Sequence, residues 1–459
     1  MDYEIDRKIE ESIALIIQLI EKKQYMEART EFLNFNEVDI AEILEEIMDV
    51  LGIEKTIIMF RTLPKDVAVE VFSNLDTDEQ LSIINGITDK EIKYIIDELP
   101  FDDMIDVLEE LPANIVDKIL EKSTKEERKL INTFLNYPEN SAGSLMTPDY
   151  ISLFKEMTVG EALAHIKEVG MDRETVYTCY VKDKGRKLIG IVSLRTMVVS
   201  DDNIPIADIM HEDFVSVNVL DDQEDVSNLF KRYGFLAIPV VDNENRLVGI
   251  ITVDDILNII DEETTEDFQK MAGVAASTEE YLDMSVWKHV RNRFPWLLYL
   301  MISAMITGLI ISHFEELLSK VIVLAVYLPM LMGTGGNSGS QSATLIIRGM
   351  AVGDIDLKDA FKVLWKEFRV SFLIGLGLSI LNFAKIIFLD NQSPFIALTV
   401  CISMVIIIVM AKTIGGTLPI IAKKIKLDPA IMASPMIASL TDMISVITYF
   451  ALGSLILGL

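Results

Sequence analysis

The chain has 459 residues, half of them apolar, with 71 acidic and 41 basic side chains and a net charge of −30. A positive mean hydropathy beside a charged fraction of 24% reads as a soluble part joined to a membrane part. From Val286 onward there are 9 acidic and 14 basic residues, so the net charge is −35 before that point and +5 after it. So acidic a domain does not seek nucleic-acid phosphates and attracts cations, divalent ones most strongly. Cys179 and Cys401 are the only cysteines, which excludes a disulfide framework and a thiolate metal site.

In chain order, the opening MDYEIDRKIEES reads as an acidic helix rather than a signal peptide. From Leu63 a pattern recurs every 12 residues: Leu63-Pro64, Leu75-Asp76, Ile87-Thr88, Leu99-Pro100, Leu111-Pro112. Each pair of units predicts a helical hairpin, and stacked pairs predict a small solenoid. Asp102 and Asp106, four residues apart, share one helix face there.

From about 144 to 258 the texture changes to short strands and helices, in two matching halves. VYTCYVKDKGRKLIGIVSLRTMVV aligns with LAIPVVDNENRLVGIITVDDILNI, and SLMTPDYISLFKEMTVGEALAHI with DIMHEDFVSVNVLDDQEDVSNLF. A dense acidic run follows, with Asp261, Glu262, Glu263, Glu266 and Asp267, and no Gly/Ser spacer separates it from the membrane part. Such a run reads as a solvated helix face, or as like charges that repel unless a cation intervenes.

Apolar stretches near 294–314, 321–346, 369–389, 395–420 and 430–457 are each long enough, at about 20 residues, to cross a bilayer. Basic residues flank one set of connections: Arg291 and Arg293, then Arg348 to Arg369, then Lys423, Lys424 and Lys426. The positive-inside rule therefore places the acidic domain in the cytoplasm and the C-terminus outside.

Within the second stretch, GTGGNSGSQSATLIIRG puts small polar residues at membrane depth. Tight helix packing explains small residues at one helical spacing. A continuous run also suits polar or non-helical backbone lining a water-filled cavity. Asp442 sits mid-span in IASLTDMISVITYF, where a carboxylate is costly and reads as a functional group or as a protonated or hydrogen-bonded structural Asp. Asp428, just before Pro429, reads equally as a helix cap or a site residue. Carbonyls, Asn337 and a carboxylate make an oxygen-only set suited to a hard cation such as Mg²⁺.

The paired halves resemble tandem cystathionine-β-synthase-type (CBS) domains. That resemblance implies a Gly-x-x-Ser/Thr-x-x-Asp nucleotide motif, present as Gly249, Thr252 and Asp255, whereas the first copy has Thr196 in the Asp place. Order and motifs together resemble the MgtE family of magnesium channels and transporters over essentially the whole chain, through GTGGNSGSQSATLIIRG, EETTEDFQKMAGV and LDPAIMASPMIASLTDM.

The resemblance implies a multi-domain fold. An all-α superhelical domain spans 1–137, and an α/β tandem CBS domain spans 138–259, its copies at about 138–202 and 203–259. A connecting (plug) helix spans 260–290, and an all-α polytopic membrane domain with five transmembrane helices spans 291–459. It implies a homodimeric, Mg²⁺-gated channel in the cell membrane, with Mg²⁺ as cargo and regulator and ATP as a possible modulator. Asp442, Asn337, Gly336, Gln341 and Asp428 match the family's pore positions. Glu70, Asp102, Asp106, Asp222, Glu224, Asp255, Glu263, Glu266 and Asp267 match its Mg²⁺-sensing positions.

Gly234, Asn258 and Asp354 depart from the family's usual residues. Other readings stay open: a channel for Co²⁺ or Mn²⁺, a membrane-anchored nucleotide sensor, or an intramembrane aspartyl hydrolase. The last needs two facing carboxylates, and only Asp442 lies deep in a span. Beyond divalent cations and a second copy, the expected partner is membrane lipid and not nucleic acid.

Overall fold

The computed structural model describes residues 2–277, 281–282, 284–432 and 434–458. It separates into two compact units, residues 1–259 and 260–459.

The 12-residue repeat in the first unit becomes the helices Lys65–Ser73, Thr77–Gly86, Asp89–Glu98, Phe101–Glu110 and Ala113–Lys122. The recurrent apolar residue of each step (Leu63, Leu75, Ile87, Leu99, Leu111) is buried. The residue after it caps the next helix: Pro64, Asp76, Thr88, Pro100 and Pro112. Proline suits this place because its φ is preset and its missing N–H is not needed. Thr88 instead closes a capping box with Glu91. Each helix packs on the next but one, 65–73 on 89–98 and 77–86 on 101–110. One layer thus buries the apolar face of the one before, as a solenoid requires.

The CBS pair holds two three-stranded sheets of the same plan. β1 (Ser152–Phe154) runs parallel to β2 (Thr178–Lys182), which pairs antiparallel with β3 (Leu188–Ser193). β4 (Val217–Asn218), β5 (Ala237–Val241) and β6 (Leu247–Thr252) repeat this order. Both hairpin turns use one device, an aspartate folding over its own backbone. Asp183 accepts from the Gly185 and Lys187 N–H groups, and Asp242 from those of Glu244 and Arg246. The copies interlock, because Thr147 pairs with Ile250 and His211 with Ile191. That exchange explains one motif glycine: a Cβ on Gly249 would lie 2.8 Å from both Met146 Sδ and the Thr147 carbonyl oxygen.

A connecting helix runs unbroken from Val253 to Met271. The second unit then contains α1 (Val286–His313), α2 (Val323–Ala351), α3 (Ala360–Phe388), α4 (Pro394–Lys424) and α5 (Ser434–Leu457). Among the described residues, four stretches, 286–313, 357–388, 394–424 and 429–457, are long and apolar enough to cross a membrane. α2, with 29 residues, is also long enough at 1.5 Å per residue, but its small polar centre keeps it out of that apolar set. The third apolar stretch was expected to begin at 369, yet its helix begins at Ala360. No proline or glycine interrupts 360–369, so Lys362, Lys366 and Arg369 ride on the first turns of α3 rather than on a loop, where long basic side chains reach back to water.

The core of this unit is built from α2, α4 and α5. Leu324, Tyr327 and Leu331 meet Met404, Ile407 and Ile408 and also Val446, Tyr449 and Phe450. The Tyr449 hydroxyl donates to the Leu324 carbonyl at 3.1 Å, which satisfies a buried polar group. The GTGGNSGS stretch stays helical throughout, and part of it serves packing. A Cβ on Gly415 of α4 would lie 2.2 Å from the Gly339 carbonyl oxygen, and one on Gly335 would lie 2.8 Å from Ile407. Backbones approach this closely only through glycine.

Candidate ion-binding cavity and acidic clusters

The other face of the same stretch lines a cavity of ≈ 640 Å³. Pro329, Gly333, Gly336, Asn337 and Ser340 face it from α2, and Pro435, Ala438 and Asp442 from α5. The spacings i, i+4, i+7, i+8, i+11 and i, i+3, i+7 each define one helical stripe. The run of small residues therefore does two jobs at once: Gly335 and Gly339 pack inward, while Gly336, Asn337 and Ser340 keep the opposite stripe open. The Asp442 carboxylate and the Asn337 amide make no hydrogen bond or ion pair among the described residues. A carboxylate at membrane depth with no protein partner is unfavourable unless something else compensates it, and a cation does so directly. Gln341 is exposed and does not line this cavity, nor does Asp428.

A second concentration of charge lies in the first unit. Burial, reinforced by the charges of Asp255, Asp103 and Glu174, pushes the Asp102 carboxyl up to about 8. Its Oδ1 is buried without a hydrogen-bond partner. Burial followed by the charge of Asp255 and then of Glu70 and Asp254 pushes Asp103 to about 6. Burial with Asp255, Asp254 and Asp103 lifts Glu174 to about 6. Asp255 is also raised, mainly by burial, although the Thr252 hydroxyl donates to it at 2.7 Å. The structure thus brings together Glu70, Asp102 and Asp255, expected from the sequence, with Asp103, Asp254 and Glu174, which were not.

These shifts have a pH signature. A carboxyl whose folded pKa lies above its unfolded value holds its proton preferentially in the fold, so stability falls as pH rises from about 4 toward 8. Hydrogen exchange across helix 101–110, corrected for intrinsic rates, is expected to be slower at pH 6 than at pH 8. Asp102→Asn should remove most of that difference, and equal protection at both pH values in the wild type would contradict the assignment.

Comparisons with known proteins match each part of the chain to a known domain. Residues 35–140 match the MgtE intracellular N domain, 142–200 and 206–262 match CBS domains, and 328–452 match a divalent cation transporter domain. The chain is 38% identical over 432 residues to a magnesium transporter MgtE of Thermus thermophilus, which covers 91% of this chain and 95% of that one. This chain belongs to the MgtE family.

MgtE proteins are membrane transporters and not enzymes, and a multi-pass membrane location fits the apolar helices. A second MgtE magnesium transporter, from Bacillus subtilis, is 34% identical over 73% of this chain and 74% of its own. A crystal structure of the cytosolic domain of the Mg²⁺ channel MgtE in complex with ATP superposes with a TM-score of 0.50 at 33% identity. It covers 54% of this chain and 99% of that one.

The structure places the remaining expected positions as follows. Asp222 is exposed and caps helix Gln223–Tyr233 by accepting from the Glu224 N–H at 2.9 Å. Asp106 is exposed one turn beyond Asp102, and Glu263 is half-buried on the connecting helix. Asp428 acts as a cap and also forms an ion pair. One carboxylate oxygen accepts from the Ala430 N–H at 2.7 Å, and the other lies 2.7 Å from Lys270 Nζ. Lys270 also pairs with Glu266. The ammonium therefore bridges two of the expected cation ligands, and those two carboxylates hold it well above the usual lysine range. Burial together with the nearby Asp428 charge raises the carboxyl of Asp267 beside them. Met271, one residue on, packs against Ala343 and Ile347 of α2 and Ile437 of α5.

Sequence reasoning missed Lys270, which looked like one more charge in an acidic run. It also missed the buried trio of Lys412 (α4), Ser342 (α2) and Glu367 (α3). In it Lys412 donates to Ser342 at 3.3 Å, Ser342 donates to Glu367, and Lys412 lies 3.8 Å from Glu367. A lone lysine in VMAKTIGG was the available signal. A further group, Glu45, Asp76 and Glu79, brings carboxylate oxygens within 4.8 Å of one another. Burial pushes Glu45 there to about 7. Glu45 lies 31 and 34 residues before Asp76 and Glu79, and only the fold brings it to them.

Proposed function

We propose that this chain forms a homodimeric magnesium channel whose acidic cytosolic region senses Mg²⁺ and closes the pore. The observation that carries the reading is Asp442, without a hydrogen bond or ion pair among the described residues, in a cavity lined opposite by Gly336, Asn337 and Ser340. The carboxylate of Asp442, the amide oxygen of Asn337 and the hydroxyl of Ser340 offer oxygen ligands, which suit Mg²⁺, a hard ion that gives up its water shell reluctantly. A cavity of ≈ 640 Å³ leaves room for those waters. Gln341 and Asp428 extend the ion path beyond this cavity. With the acidic domain in the cytosol and the C-terminus outside, an inside-negative potential drives entry. It contributes about 2.3 kcal/mol per charge per 100 mV, twice that for a divalent ion.

Gating follows from the acidic clusters. When cytosolic Mg²⁺ is high, ions gather the carboxylates of Glu70, Asp102, Asp106 and Asp255, of Asp222 and Glu224, and of Glu263, Glu266 and Asp267. The connecting helix carries members of these sets along its length and ends at Met271 against α2 and α5. When Mg²⁺ is low the carboxylates repel and the pore opens. This is a population shift by a ligand that binds the closed state better. Each coupling is typically about 1–3 kcal/mol, so several ions act together. ATP, held by the motif of Gly249, Thr252 and Asp255, modulates the equilibrium. Thr252 and Asp255 already share a hydrogen bond there.

The test is Mg²⁺ influx into liposomes holding the full chain, with Mg²⁺ on the cytosolic face set low and then millimolar. Flux that closes at the high setting is expected. Absence of Mg²⁺ flux at every setting would sink the proposal, and flux of Co²⁺ or Mn²⁺ without Mg²⁺ would reassign the ion.

A further inference from the structure

A second cavity, of ≈ 540 Å³, lies in the 260–459 unit where the connecting helix gives way to α1. After Met271 the chain turns at Gly273, whose φ is +71°. A Cβ at that position would lie 2.0 Å from the Trp296 indole nitrogen, so only glycine lets the turn seat against α1. The segment beyond it is pinned at two points. Ala275 N–H donates to the Asn292 carbonyl at 3.0 Å. Gln269 exchanges two hydrogen bonds with the Ser277 backbone, at 2.7 and 2.9 Å.

The pinned 273–277 segment and α1 border a space walled by Phe268, Val274, Tyr281 and Met284 and edged by His289 and Arg293. Its volume lies within the roughly 300–1,000 Å³ of ordinary ligand cavities.

Three observations name the occupant's chemistry. First, Arg293 has no carboxylate partner among the described residues. Its guanidinium lies 3.4 Å from His289 Nδ1 and 5.9 Å from the Tyr281 ring. His289 Nε2 lies 3.1 Å from the Tyr281 carbonyl oxygen and must donate to it, which leaves Nδ1 to accept from Arg293. One edge of the guanidinium is thus oriented by histidine, and its other N–H groups remain for an anion of phosphate geometry.

Second, the walls are apolar, which suits a hydrocarbon tail and not a free nucleotide. Third, two aromatic side chains that line the cavity stand exposed, Phe268 at 67% and Tyr281 at 68%, and Val286 and Trp287 at the start of α1 are exposed as well. Aromatic residues beside basic ones at the end of an apolar span mark the membrane–water boundary.

We propose that this cavity binds one anionic phospholipid, its phosphate on Arg293 and the start of an acyl chain in the apolar pocket. The site is independent of the ion that Asp442 serves. Because Phe268 and Gln269 belong to the connecting helix, the lipid also ties that helix to the bilayer.

The test is native mass spectrometry of the detergent-solubilised full chain titrated with phosphatidylglycerol, with phosphatidylcholine and inorganic phosphate in parallel. Wild type should retain phosphatidylglycerol over phosphatidylcholine, and Arg293→Gln should cut that preference about five- to tenfold. Ala272→Phe, which fills the cavity and keeps the arginine, should weaken both lipids. Arg291→Gln, exposed like Arg293 but outside the cavity lining, should change little.

Equal losses for Arg291→Gln and Arg293→Gln would mean diffuse surface charge and would overturn the site. So would an undiminished preference in Arg293→Gln. Phosphate binding without lipid retention would reduce it to an anion site. Ready Phe268→Cys disulfide formation between copies, with no lipid retained, would reassign the surface to a subunit contact.

Discussion

Asp442→Ala is expected to reduce Mg²⁺ influx through reconstituted protein by about 100-fold or more, with the fold intact. The carboxylate contributes no hydrogen bond or ion pair to the packing among the described residues, so its removal costs little stability. Its effect on a cation in the cavity is large. At an effective dielectric constant near 20, a unit charge pair at 4 Å interacts by about 4 kcal/mol, and a divalent ion doubles that. Desolvation removes part of this gain, and the remaining few kcal/mol correspond to two or more decades at about 1.4 kcal/mol each. Asp442→Asn, which keeps the shape and removes the charge, should behave like the alanine variant. Asp442→Glu should retain part of the flux. If Asp442→Asn conducts like wild type while the thermal unfolding of both proteins coincides, the carboxylate is not the ion ligand.

The second large effect belongs to Lys270. Its ammonium occupies the space between Glu266 and Asp428, beside Asp267. Under the proposed gating, a divalent ion entering that space must displace a tethered monovalent one. Lys270→Met should therefore act in two directions. Without Mg²⁺, three carboxylates repel with nothing between them, so the connecting helix loosens and basal flux rises. With Mg²⁺, the competitor is gone and closure should need about three- to tenfold less ion. That size follows from partly exposed pairs worth at most about 1 kcal/mol each, at about 1.4 kcal/mol per decade. Lys270→Arg should remain near wild type. Flux titrations at fixed voltage read both effects. A closing midpoint that is unchanged or moves to higher Mg²⁺ in Lys270→Met would rule out the competition.

The legible parts of this protein were those in which chemistry and spacing travel together along the chain. The helical caps of the solenoid follow directly from Leu-Pro and Ile-Thr pairs every 12 residues, because burial of the first residue and capping by the second are local events. Asp442 was legible for the same reason, since a carboxylate among apolar residues is conspicuous wherever the helix lies. The glycine-rich stretch was only half legible. Its composition announced close approach or a polar cavity, but the division of labour between Gly335 and Gly339 on one face and Gly336, Asn337 and Ser340 on the other depends on which helices surround it.

The sequence by itself determined the membrane and soluble halves, the repeat, the two matching halves of about 144–258 and the position of the deep carboxylate. Each rests on periodicity, composition or charge counted along one segment. Only the tertiary structure decided which charges meet. Glu174 joins Asp102 and Asp255, Lys270 bridges Glu266 and Asp428, and Lys412 reaches Ser342 and Glu367 across three helices. The physical reason is range. Capping and hydrophobic periodicity act within a turn or two of the backbone. A charge's ionisation and partners are set instead by every group within a few ångströms, and a fold brings those from residues tens to hundreds of positions away.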